Sequence, residues 1–244
     1  MSQIKVTIWN ENRHEQNLNS LPEKIYPEGI HGAIKSQLEG ELGTQISVTT
    51  ATLDEPNHGL TREVIAKTDV LLWWGHEAHS EVSDQVVDSI YEAVNSGMGL
   101  IVLHSGHYSK IFRKLMGTTC SLRWRSAKDR ECVWTVAPNH PITKGIPDPI
   151  VIPEQEMYGE FFDIPTPDEL IFISNFSGGE VIRSGATWKR GLGKVFYFSP
   201  GDQDYPVYHQ KEIGKVLANA VCYLVAERAS TPIDATFHKL GWFE

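Results

Sequence analysis

The sequence predicts an α/β fold in which a mostly parallel sheet carries an antiparallel or mixed extension in its second half. Residues 70–74 and 100–103 are short apolar runs without polar alternation, as is typical of strands covered on both faces. Between them, valine and isoleucine recur at three- and four-residue steps over residues 82–94, the spacing of an amphipathic helix. Such a βαβ unit places two parallel strands in one sheet. After residue 123, short apolar runs and glycine turns replace the helical spacing, which predicts the extension.

The remaining segments of the first half continue the alternation of strands and helices. Ser83 is a candidate N-cap for the central helix, and Gly97 and Gly99 follow its end. We predict strands over residues 4–9 and 46–51, a helix from Ile30 that Gly43 closes, a short helix over residues 61–67, and a helix over residues 108–116 that ends at Gly117.

The second half predicts strands, turns and one last helix. Short strands or loops are expected at residues 123–125, 133–136 and 150–152. Strands are expected at residues 170–174 and 194–198, with turns at Gly178-Gly179 and Gly191-Leu192-Gly193. Residues 153–160 hold three carboxylates without helical spacing, which predicts a loop. A helix is expected over residues 213–225, and the apolar residues of the tail at 231–244 predict that it docks. We find no linker or repeat, so residues 1–244 are predicted to form a single domain.

Composition excludes several classes of function. The 244 residues carry a formal net charge of −9, which argues against a nucleic-acid partner. Three cysteines without CxxC spacing predict no disulfides and a reducing compartment. No signal peptide and no apolar run long enough to span a membrane is found, so we expect a cytoplasmic protein. A homo-oligomer is possible for this fold class.

Four histidines follow the two central strands at the point where each strand ends. His76 and His79 come after the first strand, and His104 and His107 after the second. Ligands of open parallel sheets bind beyond the carboxyl ends of strands, so these imidazoles are expected at the edge where chemistry takes place. The alternative for each histidine alone is a buried structural role.

The turn at His104-Ser105-Gly106-His107 must reverse the chain direction within few residues. Gly106 is its one residue without a Cβ, and we expect it to supply the conformational freedom. The turn is similar in shape to a nucleophile elbow, where a strand-to-helix turn presents one side chain. Free amides at the start of the following helix favour an anionic oxygen.

Several familiar motifs are absent. The histidines at 76 and 79 are three residues apart, whereas the zinc-protease signature needs four with glutamate between them. Neither a GxxxxGK[ST] phosphate loop nor a GxGxxG motif after the first strand is present, so we predict no nucleotide cofactor. The elbow has no cysteine, which removes the simplest acyl-transfer mechanism.

Imidazole and carboxylate groups remain as the candidate chemistry. Neutral histidine with Asp or Glu binds zinc, manganese, iron or nickel, and the same groups transfer protons near neutral pH. We predict a divalent metal ion, zinc among the candidates, held by His76, His104, Glu156 and His209. The alternative for Glu156 and its two neighbouring glutamates, Glu154 and Glu160, is a solvated charge cluster.

Longer motifs, in order along the chain, resemble the ThuA-like trehalose-utilisation family. These are Trp9-Asn10-Glu11 with Arg13-His14-Glu15, Tyr26-Pro27-Glu28-Gly29-Ile30-His31, Trp73-Trp74-Gly75-His76-Glu77-Ala78-His79, Leu103-His104-Ser105-Gly106-His107, Glu156-Met157-Tyr158-Gly159-Glu160 and Tyr205-Pro206-Val207-Tyr208-His209. The resemblance implies a flavodoxin-like, doubly wound fold of the class I glutamine amidotransferase type.

The resemblance also defines a departure from amidotransferase chemistry. His104 stands at the place of the catalytic cysteine, so glutaminase activity through a thiolate is excluded. Many relatives carry a Gly-His pair where this chain has Gly201-Asp202. The family is similar to partners of sugar dehydrogenases that oxidise a ring hydroxyl of a disaccharide to a ketone. It implies a role in the catabolism of trehalose or related keto-disaccharides.

A lyase, hydrolase or isomerase acting on such a keto-sugar is therefore our leading hypothesis. A metal would polarise the carbonyl while a base removes an acidified proton. We assign catalytic roles to His104, His107 and Glu156, and substrate-binding roles to Asn10, Glu11, His79, Tyr158, Asp202 and Tyr205. Trp73 and Trp74 are further stacking candidates, although a position in the buried core is favoured for Trp73. The alternatives are a non-catalytic sugar-binding or regulatory protein, and a hydrolase using Ser105.

Overall fold

A computed structural model describes residues 3–225 and 241–242. The strands are β1 (Ile4–Asn10), β2 (Ile46–Thr52), β3 (Val70–Trp74), β4 (Gly99–Leu103), β5 (Arg123–Thr135), β6 (Ile150–Gly159), β7 (Glu169–Phe176), β8 (Val181–Arg190) and β9 (Gly193–Phe198). The helices are α1 (Leu21–Ile25), α2 (Gly29–Leu42), α3 (Arg62–Lys67), α4 (Asp84–Asn95), α5 (Lys110–Met116) and α6 (Lys211–Leu224). All nine strands of this described part form one sheet, in the order β2-β1-β3-β4-β9-β8-β7-β5-β6.

The parallel part of the sheet brings the ends of its central strands together. Strands β2, β1, β3, β4 and β9 are parallel, and the register pairs Trp74 with Leu103 and Leu103 with Phe198. The residues that follow these three strands therefore leave the sheet at one edge. This arrangement confirms the predicted parallel core and shows that β3 and β4 are neighbours.

The second half forms an antiparallel extension, as predicted, although its details differ from the prediction. Strands β8, β7, β5 and β6 continue the sheet from β9 with antiparallel pairing. The segment around Glu156, predicted as a loop, belongs to β6, whose residues 155–159 are all buried. Strand β8 was not predicted, because its centre is buried through small residues, Ser184, Gly185 and Ala186, that form no apolar run.

Helices cover the sheet on both faces, which makes the fold doubly wound. The apolar sides of α2 and α6 pack on one face, and those of α3, α4 and α5 pack on the other. The predicted N-cap of α4 is confirmed, since the Ser83 hydroxyl accepts a hydrogen bond from Val86 N. Thr61 and Ser109 cap α3 and α5 in the same way.

Four further predictions concern the chain as a whole. Cys120, Cys132 and Cys222 are free thiols, as predicted. Within residues 3–225 and 241–242, no helix is long and apolar enough to cross a membrane. Docking of the tail concerns Phe237, Leu240 and Phe243, which lie outside the described residues, and Trp242, which is exposed. That residues 1–244 form a single domain stays a prediction.

Candidate functional site

The turn after β4 places His104 in an unusual backbone conformation. His104 has a φ of +45°, in the left-handed region, and the turn His104–Tyr108 leads into α5. The predicted role of Gly106 is therefore wrong, because the strained residue is His104 itself. Gly106 is needed for close approach, since a Cβ there would lie 3.1 Å from Val102 Cγ1.

The imidazole of His104 is fully buried and fixed on three sides. Its Nδ1 lies 3.0 Å from the carbonyl oxygen of Ser199, so Nδ1 is the protonated nitrogen. The ring stacks on Tyr158 with centroids 4.4 Å apart, and it lies parallel to His76 at 6.5 Å. The remaining nitrogen, Nε2, is buried and has no hydrogen-bond partner in the described residues.

Two buried carboxylates face this nitrogen. Glu156 Oε2 lies 3.3 Å from His104 Nε2, and Asp202 Oδ2 lies 3.7 Å from it. In a neutral imidazole, Nε2 is an acceptor, so three acceptors would converge without a donor. A proton on His104 or a cation among the three groups resolves this conflict.

The pKa values of the three groups reflect the same conflict. Burial alone would lower the pKa of His104, but the adjacent carboxylate of Glu156 and the charge of Asp202 raise it. For Glu156, the effect of burial is outweighed by the adjacent imidazole of His104, which lowers its pKa. Burial raises the pKa of Asp202 to about 6, although the charge of His104 opposes this.

The donor set of His104, Glu156 and Asp202 could hold a metal ion. One ligand atom from each lies within 4.8 Å of the others, and all three residues are buried. Ligand atoms about 2.0–2.1 Å from a tetrahedral zinc ion lie about 3.3–3.4 Å from one another, close to the 3.3 Å and 3.7 Å observed here. The bond from His104 Nδ1 to Ser199 orients the imidazole as the second contact of a metal-binding histidine normally does.

A cleft of about 360 Å³ opens beside this group. Its lining includes the polar side chains of His76, His79, Ser105, His107 and Glu156 and the buried ring of Tyr158. The more exposed lining residues, Tyr108, Ser121, Leu122 and Trp124, form its rim. Glu156 belongs both to the buried group and to the cleft. A small molecule in the cleft can therefore reach the buried group at Glu156.

The sequence matches the family model described as ThuA, trehalose utilisation, over residues 5–224. The chain belongs to the ThuA family. The resemblance carried by the motifs around His76, His104 and Glu156 is thereby confirmed. No curated protein sequence matches the chain.

Solved structures with the same architecture support this assignment at the level of the fold. A ThuA-like protein of Parabacteroides merdae is 13% identical, with a TM-score of 0.65 and coverage of 97% of this chain and 95% of that one. A cytoplasmic protein of Salmonella typhimurium is 15% identical, with a TM-score of 0.57 and coverage of 92% and 100%. A Thermoplasma acidophilum protein described as part of a GMP synthase is 12% identical, with a TM-score of 0.53 and coverage of 91% and 94%. These likenesses confirm the class I glutamine amidotransferase-like fold.

The other histidines of this ThuA-family cleft are kept neutral. Burial lowers the pKa of His76 and of His79 to about 4 each, and that of His107 to about 3. The proximity of His104 lowers the pKa of His76 and His107 further. His107 Nδ1 lies 2.6 Å from the carbonyl oxygen of Cys120, so its Nε2 is the acceptor nitrogen.

Asn10 and Glu11, predicted to bind substrate, instead make hydrogen bonds within the protein outside the cleft. The Glu11 carboxylate accepts hydrogen bonds from the backbone N–H groups of His76, Glu77 and Ala78, at 2.6–3.1 Å. The Asn10 amide contacts Glu15 and His31 and is fully buried. Neither Asn10 nor Glu11 lines the cleft, and Glu11 instead fixes the loop that carries His76.

The structure does not bring every predicted residue to the cleft. His209 stacks on Tyr26, and its Nε2 contacts the carbonyl oxygen of Ile25, so it is not part of the candidate metal group. His76 stands beside that group without supplying one of its three ligand atoms, and Asp202 completes it instead. Tyr205 lines a different cleft.

Two of the aromatic residues proposed for stacking lie in the core. Trp73 and Trp74 are fully buried, so they cannot stack on a ligand. The exposed aromatic side chains of the cleft are Tyr108 and Trp124, which sequence reasoning missed. The signal for Trp124 was its place between two arginines, where a buried residue is not expected.

The hydroxyl of Ser105 lies in the cleft wall but is directed at the protein. It donates a hydrogen bond to the carbonyl oxygen of Gly75 at 3.0 Å. A serine nucleophile needs a base that accepts its proton, and this hydroxyl proton is already used. The geometry therefore does not favour a hydrolase that uses Ser105.

Proposed function

We propose that this ThuA-family protein is an enzyme that acts on an oxidised disaccharide, with a divalent metal held by His104, Glu156 and Asp202. The observation that supports this proposal is the buried, unpartnered Nε2 of His104 facing two buried carboxylates. A buried arrangement of this kind is costly unless a proton on His104 or a bound cation neutralises it, and we propose the cation. Imidazole with carboxylates suits zinc, manganese or iron.

The proposed chemistry divides between the cation and the neutral histidines. When bound, the cation supplies a Lewis acid that polarises the ketone of the sugar and acidifies the adjacent C–H bonds. His107 Nε2 and the imidazole of His76 are unprotonated at neutral pH and are the candidate bases. Elimination, hydrolysis and isomerisation of a keto-sugar can all begin with this proton transfer.

The substrate class rests on the family. The family is described by trehalose utilisation, so trehalose in its oxidised keto form, or a related disaccharide, is the proposed substrate. A sugar dehydrogenase that forms the ketone is then the pathway partner. A cytoplasmic location and the absence of a nucleic-acid, membrane or nucleotide-cofactor interaction remain parts of this proposal, as does a homo-oligomer.

Metal analysis and turnover of the His104→Ala variant test the proposal. The purified wild-type protein should hold a stoichiometric divalent ion, and His104→Ala should lose both the ion and the conversion of keto-trehalose. His209→Ala is the matched control, because His209 lies outside the group and should keep both. Full conversion by chelator-treated, ion-free wild-type protein would refute the metal part of the proposal.

A second candidate function is non-catalytic binding of a sugar. The histidine at the place of the amidotransferase cysteine favours it, because the chemical centre of that fold is replaced. Calorimetry with trehalose and keto-trehalose distinguishes the two functions. Binding of the keto form without any product, even with the metal site fully loaded, would support the second one.

A further inference from the structure

An exposed tryptophan stands at the mouth of the cleft. Trp124 is 66% exposed, although it lines the cleft together with Leu122 and Tyr158. In the register of β5 and β6, Trp124 lies opposite Tyr158, whose ring stacks on His104. Opposite residues in an antiparallel pair share one face of the sheet, so the indole lies on the strand next to Tyr158 and on the same face.

Two ion pairs fix the backbone next to Trp124. The next residue, Arg125, makes ion pairs with Asp129 on the same strand and with Glu180 beyond β7. By contrast Trp134, on the same strand and 44% exposed, has its indole N–H bound to Asn175 at 2.6 Å and does not line the cleft. Trp124 is therefore an exposed ring on a fixed backbone at the cleft, whereas Trp134 is an exposed ring away from it.

A second aromatic ring stands on the same rim. Tyr108 is 46% exposed, and the guanidinium of Arg113 lies 4.9 Å from its ring centroid, which supports the ring from one side. The rim is therefore aromatic, whereas the wall formed by His76, His79 and Glu156 is polar. This division matches a pyranose, which has hydroxyl groups around its edge and C–H groups on its faces.

We propose that the two rings of a disaccharide bind in different parts of the cleft. The ring that does not react stacks on Trp124 and Tyr108, while the reacting ring lies against the polar wall beside Glu156. The inference rests on the proposed function, because it names the second half of that substrate. The cleft volume of about 360 Å³ lies at the low end for small-molecule sites, so a second ring extends to the rim. Binding of the remote ring at Trp124 gives a disaccharide its advantage over a monosaccharide.

Binding of trehalose, glucose and mannitol to the full-length protein tests this assignment. We expect Trp124→Ala to raise the Kd for trehalose roughly tenfold, because the substitution removes about 60 Å² of apolar contact with the sugar. The Kd for glucose should change less than twofold, because glucose needs only the polar wall. Trp124→Phe should keep most of the trehalose affinity, since it retains an aromatic face. Mannitol, an open-chain polyol without a ring face, should show no dependence on Trp124.

Trp134→Ala is the matched control, as a tryptophan of the same strand outside the cleft, and it should bind trehalose like the wild type. Far-UV circular dichroism and thermal unfolding establish that each variant is folded, and truncation of an exposed side chain should change little in either. Calorimetry gives the Kd values without reference to turnover. A wild-type protein that binds trehalose through Trp124 but converts no keto-sugar would contradict the proposed enzyme and leave the stacking role intact.

Four outcomes would overturn the inference. The first is equal trehalose binding by Trp124→Ala and the wild type, and the second is an equal loss of affinity for trehalose and mannitol. The third is a change of oligomeric state on light scattering with sugar binding unchanged, which would make Trp124 a contact between copies of the chain. A wild-type protein with no measurable affinity for trehalose would overturn it as well.

Discussion

Glu131 is a buried acid whose ionisation should weaken the fold, and its replacement by glutamine should stabilise the protein. Its carboxylate lies on β5 with 0% exposure, and Oε2 accepts a 2.5 Å hydrogen bond from Gln155, while Oε1 has no partner within the described residues. Burial raises its pKa from 4.5 to about 7, although Ser174, Gln155 and the charge of His104 act in the opposite direction.

The sign and size of the effect follow from proton linkage. Between pH 4.5 and about 7 the folded protein keeps the proton of Glu131, whereas the unfolded chain has lost it. The free energy of unfolding therefore falls as the pH rises through this window. Each pKa unit of difference between the folded and unfolded protein corresponds to about 1.4 kcal/mol. Ionisation of Glu131 should therefore lower the free energy of unfolding by about 3 kcal/mol above pH 7, and the effect should be absent below pH 4.5.

Urea denaturation at pH 5.0, 7.0 and 8.5 measures this difference. With chelator present throughout, Glu131→Gln should be more stable than the wild type by about 3 kcal/mol at pH 8.5, and the gain should largely vanish at pH 5.0. Glu154→Gln, an exposed carboxylate of the neighbouring strand, is the matched control and should show no such trend. A gain that is equal at all three pH values, or a loss at pH 8.5, would refute the reasoning.

The other predictions concern the backbone around the site. Gly201→Ala should destabilise the fold by at least about 2 kcal/mol, because its Cβ would lie 2.1 Å from Tyr208 Oη, and urea denaturation measures this. Gly40→Ala, within α2 and with open space around it, is the control and should stabilise by about 0.5–1 kcal/mol. Glu11→Ala should cost about 1–3 kcal/mol, since three backbone N–H groups lose their acceptor. An unchanged urea midpoint for Glu11→Ala would contradict its proposed role in holding the loop of His76.

The sequence predicts the elements that are uniformly apolar and misses those buried through small or polar residues. Strand Val70–Trp74 is predicted to the residue, because every one of its side chains is apolar and buried. Strand β8 is missed, because Ser184 and Gly185 sit at its buried centre. Tertiary packing, rather than local pattern, makes that segment a strand.

For the site, the sequence predicts which edge of the sheet matters but not which side chains meet there. His104 is found because it ends an apolar strand. Asp202 and His209 both follow β9 within eleven residues, and pattern alone cannot tell which one turns toward His104. Trp124 is missed for a related reason, since its partner Tyr158 lies on a segment predicted to be a loop.

The three residues of the candidate metal group, His104, Glu156 and Asp202, come from different parts of the sheet. His104 ends β4 in the parallel part, Asp202 follows β9 at the border, and Glu156 belongs to β6 at the far end of the antiparallel extension. An ion bound by all three would cross-link chain segments 52 and 98 residues from His104, and it would bind the native chain in preference to the unfolded one. Saturating metal should therefore slow the unfolding of both the antiparallel extension and the parallel part, so that the two parts unfold as one cooperative unit.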